Sequence, residues 1–258
     1  MPVRGLSLSV LIAAGTCLAI VANPGTGARA IGEAGAVDIR AVQYAGDRAA
    51  ARPSAPRRLA WALRQRTSVE TRLEPGQVRL DDASVFDTPL LYWSGSEAFP
   101  PLSSGELTGL RRFVEFGGAL LIDDASGAPR SEFATSIERT IRRAFGNEAL
   151  RKLPEDHTLY RSFYLIDRPV GRVEGPNYLE GVMRGGRAAV VFSRHDLGGA
   201  WARDNLGNYL YPVVPGGSQQ REMAFRLGVN LVMYALCLDY KDDQVHSPFI
   251  MRRRAGQP

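Results

Sequence analysis

Three stretches almost free of polar atoms, residues 89–93, 119–122 and 188–192, constrain this chain most. A strand with one solvated face alternates apolar and polar residues. Uninterrupted apolar runs suit the strands of a parallel sheet covered by helices on both faces. Helical patterns lie between the runs. Ser103 and Glu106 have capping-box spacing, in which the serine oxygen takes one free amide and the glutamate reaches back to another. Leu107, Leu110, Phe113 and Val114 give that helix its apolar face, and Gly117 and Gly118 end it. Phe133, Ile137, Ile141 and Phe145 recur every fourth residue between Ser131 and Gly146, which predicts a second helix.

The flanking segments complete the alternation. Residues 37–44 read as a first strand, 47–56 as a loop and 57–66 as a helix. Residues 69–73 read as a short strand before the Pro75 and Gly76 turn. Residues 147–186 are expected to form loops with short strands, and 201–217 a long loop. A closing helix is expected over 218–238, with Met223, Leu227, Leu231 and Tyr234 on one face. Asn230 lies inside that apolar pattern, so it needs a hydrogen-bond partner and is expected to tie the helix to a loop. Together these elements predict one α/β domain over 37–250, a three-layer sandwich around a doubly wound, mainly parallel sheet. A basic tail over 251–258, expected to be solvated and mobile, follows.

The first thirty residues differ in kind. Arg4 precedes an apolar run over 6–22, and Ala28 and Ala30 place small residues where a signal peptidase reads. The segment is expected to be a signal peptide cleaved near Ala30, with 31–36 as a linker and no retained membrane span. The mature protein is then periplasmic or secreted. Cleavage removes Arg4 and Arg29 and no acid, lowering the net charge from +5 to +3. That balance is too mild for a nucleic-acid partner. Cys17 leaves with the leader. Cys237, alone in an apolar stretch, is expected to be a buried thiol.

In an open parallel sheet, ligands bind beyond the carboxyl ends of the strands, near the switch in strand order. This rule gathers distant segments onto one edge. Gly46 and Asp47 follow the first strand. Gly95, Ser96 and Glu97 follow Ser94 at the end of the first apolar run. Asp123, Asp124 and Ser126 end the next, and Ser193, Arg194, His195 and Asp196 end the last. Gly95, Ser96, Glu97, Asp123, Asp124, Ser193 and Arg194 are therefore candidate binding residues. Trp201, after Gly198 and Gly199, is a candidate lid or a packing anchor.

Two chemistries are open at this edge. His195 with Asp196 or Glu97 could activate Ser126 as a nucleophile, although Ser126 lies outside a Gly-x-Ser-x-Gly elbow. Asp123, Asp124 and His195 are also ligand types for a divalent metal, without the close spacing that makes a metal motif specific. His157 reads as an exposed turn residue. No Gly-x-Gly-x-x-Gly or Walker pattern is present.

Three ordered signatures carry a resemblance. The first runs over 116–124 and ends in Asp123 and Asp124. The second runs over 186–197, through Ser193, Arg194, His195 and Asp196, with Trp201 after it. The third runs over 228–236, through Asn230, followed by Tyr240 and Lys241. Together they resemble the bacterial family designated domain of unknown function 4159. The resemblance implies a class I glutamine-amidotransferase-like, flavodoxin-like sandwich. Active amidotransferases of that fold place a cysteine at a sharp turn after a central strand. The comparable turn here, Asp124 to Gly127, has none, so amidotransferase activity is not expected. Relatives that form the outer parts of membrane proteins imply envelope proteins as partners. The leading expectation is a non-catalytic ligand- or protein-binding module of the cell envelope, and the alternative is a hydrolase using Ser126 or a metal.

Overall fold

The computed structural model describes residues 36–45, 48–146 and 150–255. The segments read as a signal peptide and a linker, up to residue 35, and Gly46 and Asp47 lie outside the described residues. Seven strands form one mixed sheet: β1 (Arg40–Gln43), β2 (Gln77–Arg79), β3 (Leu90–Gly95), β4 (Ala119–Asp124), β5 (Arg151–Lys152), β6 (Glu180–Arg184) and β7 (Arg187–Ser193). Their spatial order is β2-β1-β3-β4-β7-β6-β5. The run from β2 to β7 is parallel throughout. β6 and β5 close the other edge antiparallel. The expected sheet is thus present, with an antiparallel hairpin added where β6 turns into β7 through Gly185 and Gly186.

Helices cover both faces. One face carries α1 (Ala55–Arg66), α4 (Leu197–Trp201) and α5 (Gly217–Ala255), and the other carries α2 (Ser104–Glu115) and α3 (Glu132–Phe145). The strands are doubly buried for this reason. Leu90, Tyr92 and Leu121 face the α1/α5 core, while Leu91, Trp93, Leu120 and Ile122 face the α2/α3 core. The capping box forms as its spacing predicts, with the Glu106 amide donating to Ser103 Oγ and the Ser103 amide to Glu106 Oε2. A cap of this kind is worth about 1 kcal/mol. Glu106 does more than cap: its Oε1 also accepts the Ala45 amide, fixing the chain just after β1.

Asn230 is fully buried and ties α5 to the 159–164 loop. It accepts the Tyr164 amide at 2.7 Å and donates to the Leu159 and Tyr164 carbonyls at 3.0 and 2.8 Å. Several local expectations shift. Residues 69–73 form only an isolated bridge, Thr71 to Val37, and the edge strand beside β1 is β2, beyond the Pro75 turn. A short helix, α4, capped by Asp196, precedes the expected 201–217 loop and ends on its first residue, Trp201. α5 continues past residue 238 into the segment read as a basic tail. Cys237 is exposed rather than buried, because the core positions of α5 near it are Tyr234 and Ala235. Among the described residues, no helix is long and apolar enough to cross a membrane.

Candidate functional site

The strand order reverses between β1 and β3, so the crevice expected to hold a ligand lies at their carboxyl ends. The chain itself fills it. The Ala51 amide donates to the Ser94 carbonyl at 3.1 Å, and the Arg52 amide to Ser94 Oγ at 3.3 Å. This brings the Arg52 side chain across the strand ends toward β4 and β7.

Asp123 and Asp124 are neighbours on a strand and point to opposite faces. Asp123 faces α4 and is wholly buried. Its Oδ1 accepts the Leu197 amide at 2.9 Å. Its Oδ2 accepts the Gly198 amide at 2.8 Å and the Tyr92 hydroxyl at 3.0 Å. Burial, with the nearby Asp196 charge, pushes the Asp123 carboxyl up to about 7, against the pull of those two amides and the Tyr92 hydroxyl. The same burial, with Asp123 alongside, raises the Tyr92 phenol well above its ordinary range. Asp124 turns the other way. It accepts the Ser126 amide at 3.0 Å and a short hydrogen bond from the Ser131 hydroxyl, and Ser131 in turn caps α3.

Asp196 is the hub of the edge. It caps α4 from a left-handed conformation, φ 51°, which aspartate tolerates better than most residues. Its Oδ1 accepts the Gly199 amide at 2.9 Å and Arg52 Nε at 2.9 Å. Its Oδ2 accepts Arg52 Nη2 at 2.7 Å and Arg172 Nε. Arg52 Nη2 also donates to the Ala125 carbonyl at 3.0 Å. Two glycines make this packing possible. A Cβ on Gly198 would meet the Tyr92 hydroxyl at 2.2 Å, and one on Gly199 would meet the Asp196 carboxylate at 2.4 Å.

His195 is buried, and both ring nitrogens have partners. Nε2 lies 2.8 Å from the Pro176 carbonyl and Nδ1 3.3 Å from Ser193 Oγ. Burial lowers its pKa to about 4, so the ring is neutral at pH 7. Ser193 Oγ also accepts the His195 amide at 3.2 Å. Ser126 Oγ accepts the Ala128 amide at 3.1 Å and is not among the hydrogen-bond partners of His195. The geometry therefore joins His195 to Ser193 and Pro176 rather than to Ser126. It also separates the expected metal ligands, Asp123, Asp124 and His195, into three hydrogen-bonded settings. Among the described residues, no group of three His, Cys, Asp or Glu side chains is placed to hold a metal ion.

The remaining candidates divide between floor and rim. Gly95 is buried, and its missing Cβ admits the Phe133 ring. Arg194 spans Glu180 and Glu138 at 2.6 and 2.9 Å. Trp201 is fully buried and donates from Nε1 to the Ala224 carbonyl at 3.0 Å, so it packs α4 on α5. Ser96 and Glu97 are exposed, and Ser126 and Gly127 half-buried. His157 is half-buried and accepts the Leu159 amide. Arg52, Arg172 and Tyr92 escape sequence reasoning. Only Tyr92 carried a signal: a phenol inside an apolar strand needs a partner. Arg52 and Arg172 lie in loops where nothing marks them.

A family model described as a domain of unknown function (DUF4159) matches residues 38–236, most of the chain. No curated protein matches the chain.

Proposed function

We infer that this chain, which belongs to the DUF4159 family, is a non-catalytic ligand- or protein-binding module of the cell envelope that works through its strand-end edge. The observation carrying this reading is that the edge's chemical groups are already committed to holding the edge together. Asp123 holds two amides and a phenol, Asp196 holds an amide and two arginines, and His195 is engaged at both nitrogens. General-base activation of a serine needs a base within hydrogen-bond reach of its hydroxyl, and among the described residues the Ser126 hydroxyl has none. Arg52 and Arg172 instead tie the strand ends together through Asp196, beside exposed Ser96 and Glu97 and half-buried Ser126. A rigid, preorganised surface binds at low entropic cost.

Export follows from the first thirty residues. N-terminal sequencing of protein recovered from the envelope fraction would read a start near residue 31. Binding is tested by placing a photo-crosslinking amino acid at Glu97 in cells, with Arg111 on α2 as the control. A discrete adduct from Glu97 and none from Arg111 supports the reading. Equal labelling at both positions, or none at Glu97, overturns it.

A further inference from the structure

A second surface carries chemistry that the strand-end edge does not use. A cavity of about 470 Å³ opens between α1, the 202–216 loop and the start of α5. Its walls include Trp61, Arg66, Arg203, Tyr209, Arg221 and Phe225. The volume lies in the range of small-molecule sites.

Two arginines there crowd one phenol ring. The Arg203 guanidinium lies 4.1 Å from the Tyr209 ring centroid and donates to its hydroxyl at 2.6 Å. The Arg221 guanidinium lies 3.7 Å from the same ring. Its Nη1 and Nη2 donate to the Ala200 and Tyr211 carbonyls at 2.6 and 2.7 Å. An antiparallel bridge between Arg203 and Tyr209 holds this arrangement in place.

Among the described residues, neither guanidinium forms a salt bridge. The carboxylate in the wall, Glu222, is committed elsewhere: Arg66 grips both its oxygens at 2.8 and 2.7 Å, and Arg226 Nε donates at 3.0 Å. Burial, together with the Arg203 charge, depresses the Arg221 guanidinium. Two like charges are thus held together with no carboxylate in salt-bridge reach of either among the described residues. Arginine presents five donors, and most of those on Arg203 are not taken up by Tyr209. Trp61, 48% exposed, supplies an uncovered aromatic face at the same mouth.

We propose that this cavity binds a small organic anion, an acid group carried on an aromatic ring. Arg203 and Arg221 take the acid group, since a guanidinium fork matches carboxylate and phosphate oxygens. Trp61 and Phe225 take the ring. The site shares no residue with the strand-end network, so it stands or falls separately from binding there.

Tryptophan fluorescence tests this on the full chain. Trp93 and Trp201 are fully buried, so acrylamide quenching reports chiefly on Trp61. Phenyl phosphate and phenylacetate are the probes, and benzyl alcohol is the uncharged control. Saturable protection of Trp61 by either acid, with none from benzyl alcohol, supports the proposal, and the stronger acid names the preferred group. Arg203→Gln then weakens that acid by at least about tenfold, the scale of one charge-assisted hydrogen bond. If that variant fails to fold by circular dichroism, a fall in wild-type affinity with added salt takes its place. No protection by either acid, equal protection by benzyl alcohol, or an affinity unmoved by both Arg203→Gln and salt overturns it.

Discussion

Arg52 grips both carboxylate oxygens of Asp196, Nε to Oδ1 at 2.9 Å and Nη2 to Oδ2 at 2.7 Å, across 144 residues of sequence. The pair joins the loop after β1 to the cap of α4 and seals the switch-point crevice. Asp196 is wholly buried. Replacing Arg52 by Met leaves Arg172 as the remaining cation. We expect Arg52→Met to cost about 3 kcal/mol, the scale of breaking a buried pair. Urea unfolding measures it as a lower midpoint at unchanged slope. A loss under about 0.5 kcal/mol, ordinary for a surface residue, would remove the hub role of Asp196.

Asp123 and His195 drive stability in opposite directions with pH. The folded Asp123 carboxyl sits at about 7, above its ordinary 3.8. Between those values the folded state holds a proton that the unfolded state has released. Its contribution is therefore full below pH 3.8 and is lost as pH rises through about 7. His195 sits at about 4 in the folded state, below its ordinary 6.5. There the unfolded state holds the extra proton, so its contribution is present above pH 6.5 and lost as pH falls through about 4, by about 3 kcal/mol in all. The two slopes offset each other in the wild type. Asp123→Asn should expose a stability that rises over this window, and His195→Gln one that falls. Urea titrations at several pH values decide it. Parallel profiles for the two variants would contradict the assignment.

Gly198 is placed by contact rather than by backbone conformation. An added Cβ would lie 2.2 Å from the Tyr92 hydroxyl and 2.9 Å from Arg52 Cβ. Gly198→Ala should cost about 1–3 kcal/mol, the range for overpacking. Combining it with Tyr92→Phe removes one clashing atom, so the double variant should be more stable than the two losses added together. Strict additivity, expected of independent sites, would mean the strain lies elsewhere.

Asn230→Leu removes three hydrogen bonds from a fully buried position and strands the Tyr164 amide and two carbonyls. Each buried group left without a partner costs about 1–3 kcal/mol. Thermal unfolding should show a fall of several degrees. Amides over residues 159–164 should exchange faster with solvent. Unchanged exchange there would show that Asn230 does not hold the loop.

This last residue illustrates what the sequence could reveal. A polar side chain in an apolar helical stripe demands a partner, so Asn230 was legible before its partners were. The doubly buried strands and the Ser103–Glu106 cap were legible for similar reasons, since periodicity and spacing are local. The strand-end edge was legible as a place, because topology gathers it. Its wiring was not. Arg52 and Arg172 reach Asp196 from distant loops, and no local pattern encodes that meeting. Asp123 and Asp124 are adjacent in sequence, and a strand's two-residue period sends one to α4 and the other to Ser131.

On the proposed reading, the strand-end edge binds and does not catalyse. Ser126 tests it most directly, because its hydroxyl is the nucleophile a hydrolase would need here. The protein, treated with a fluorophosphonate that labels activated serines, should show no more adduct than Ser126→Ala by intact mass. Near-stoichiometric labelling that disappears in Ser126→Ala would overturn that reading and restore a hydrolase.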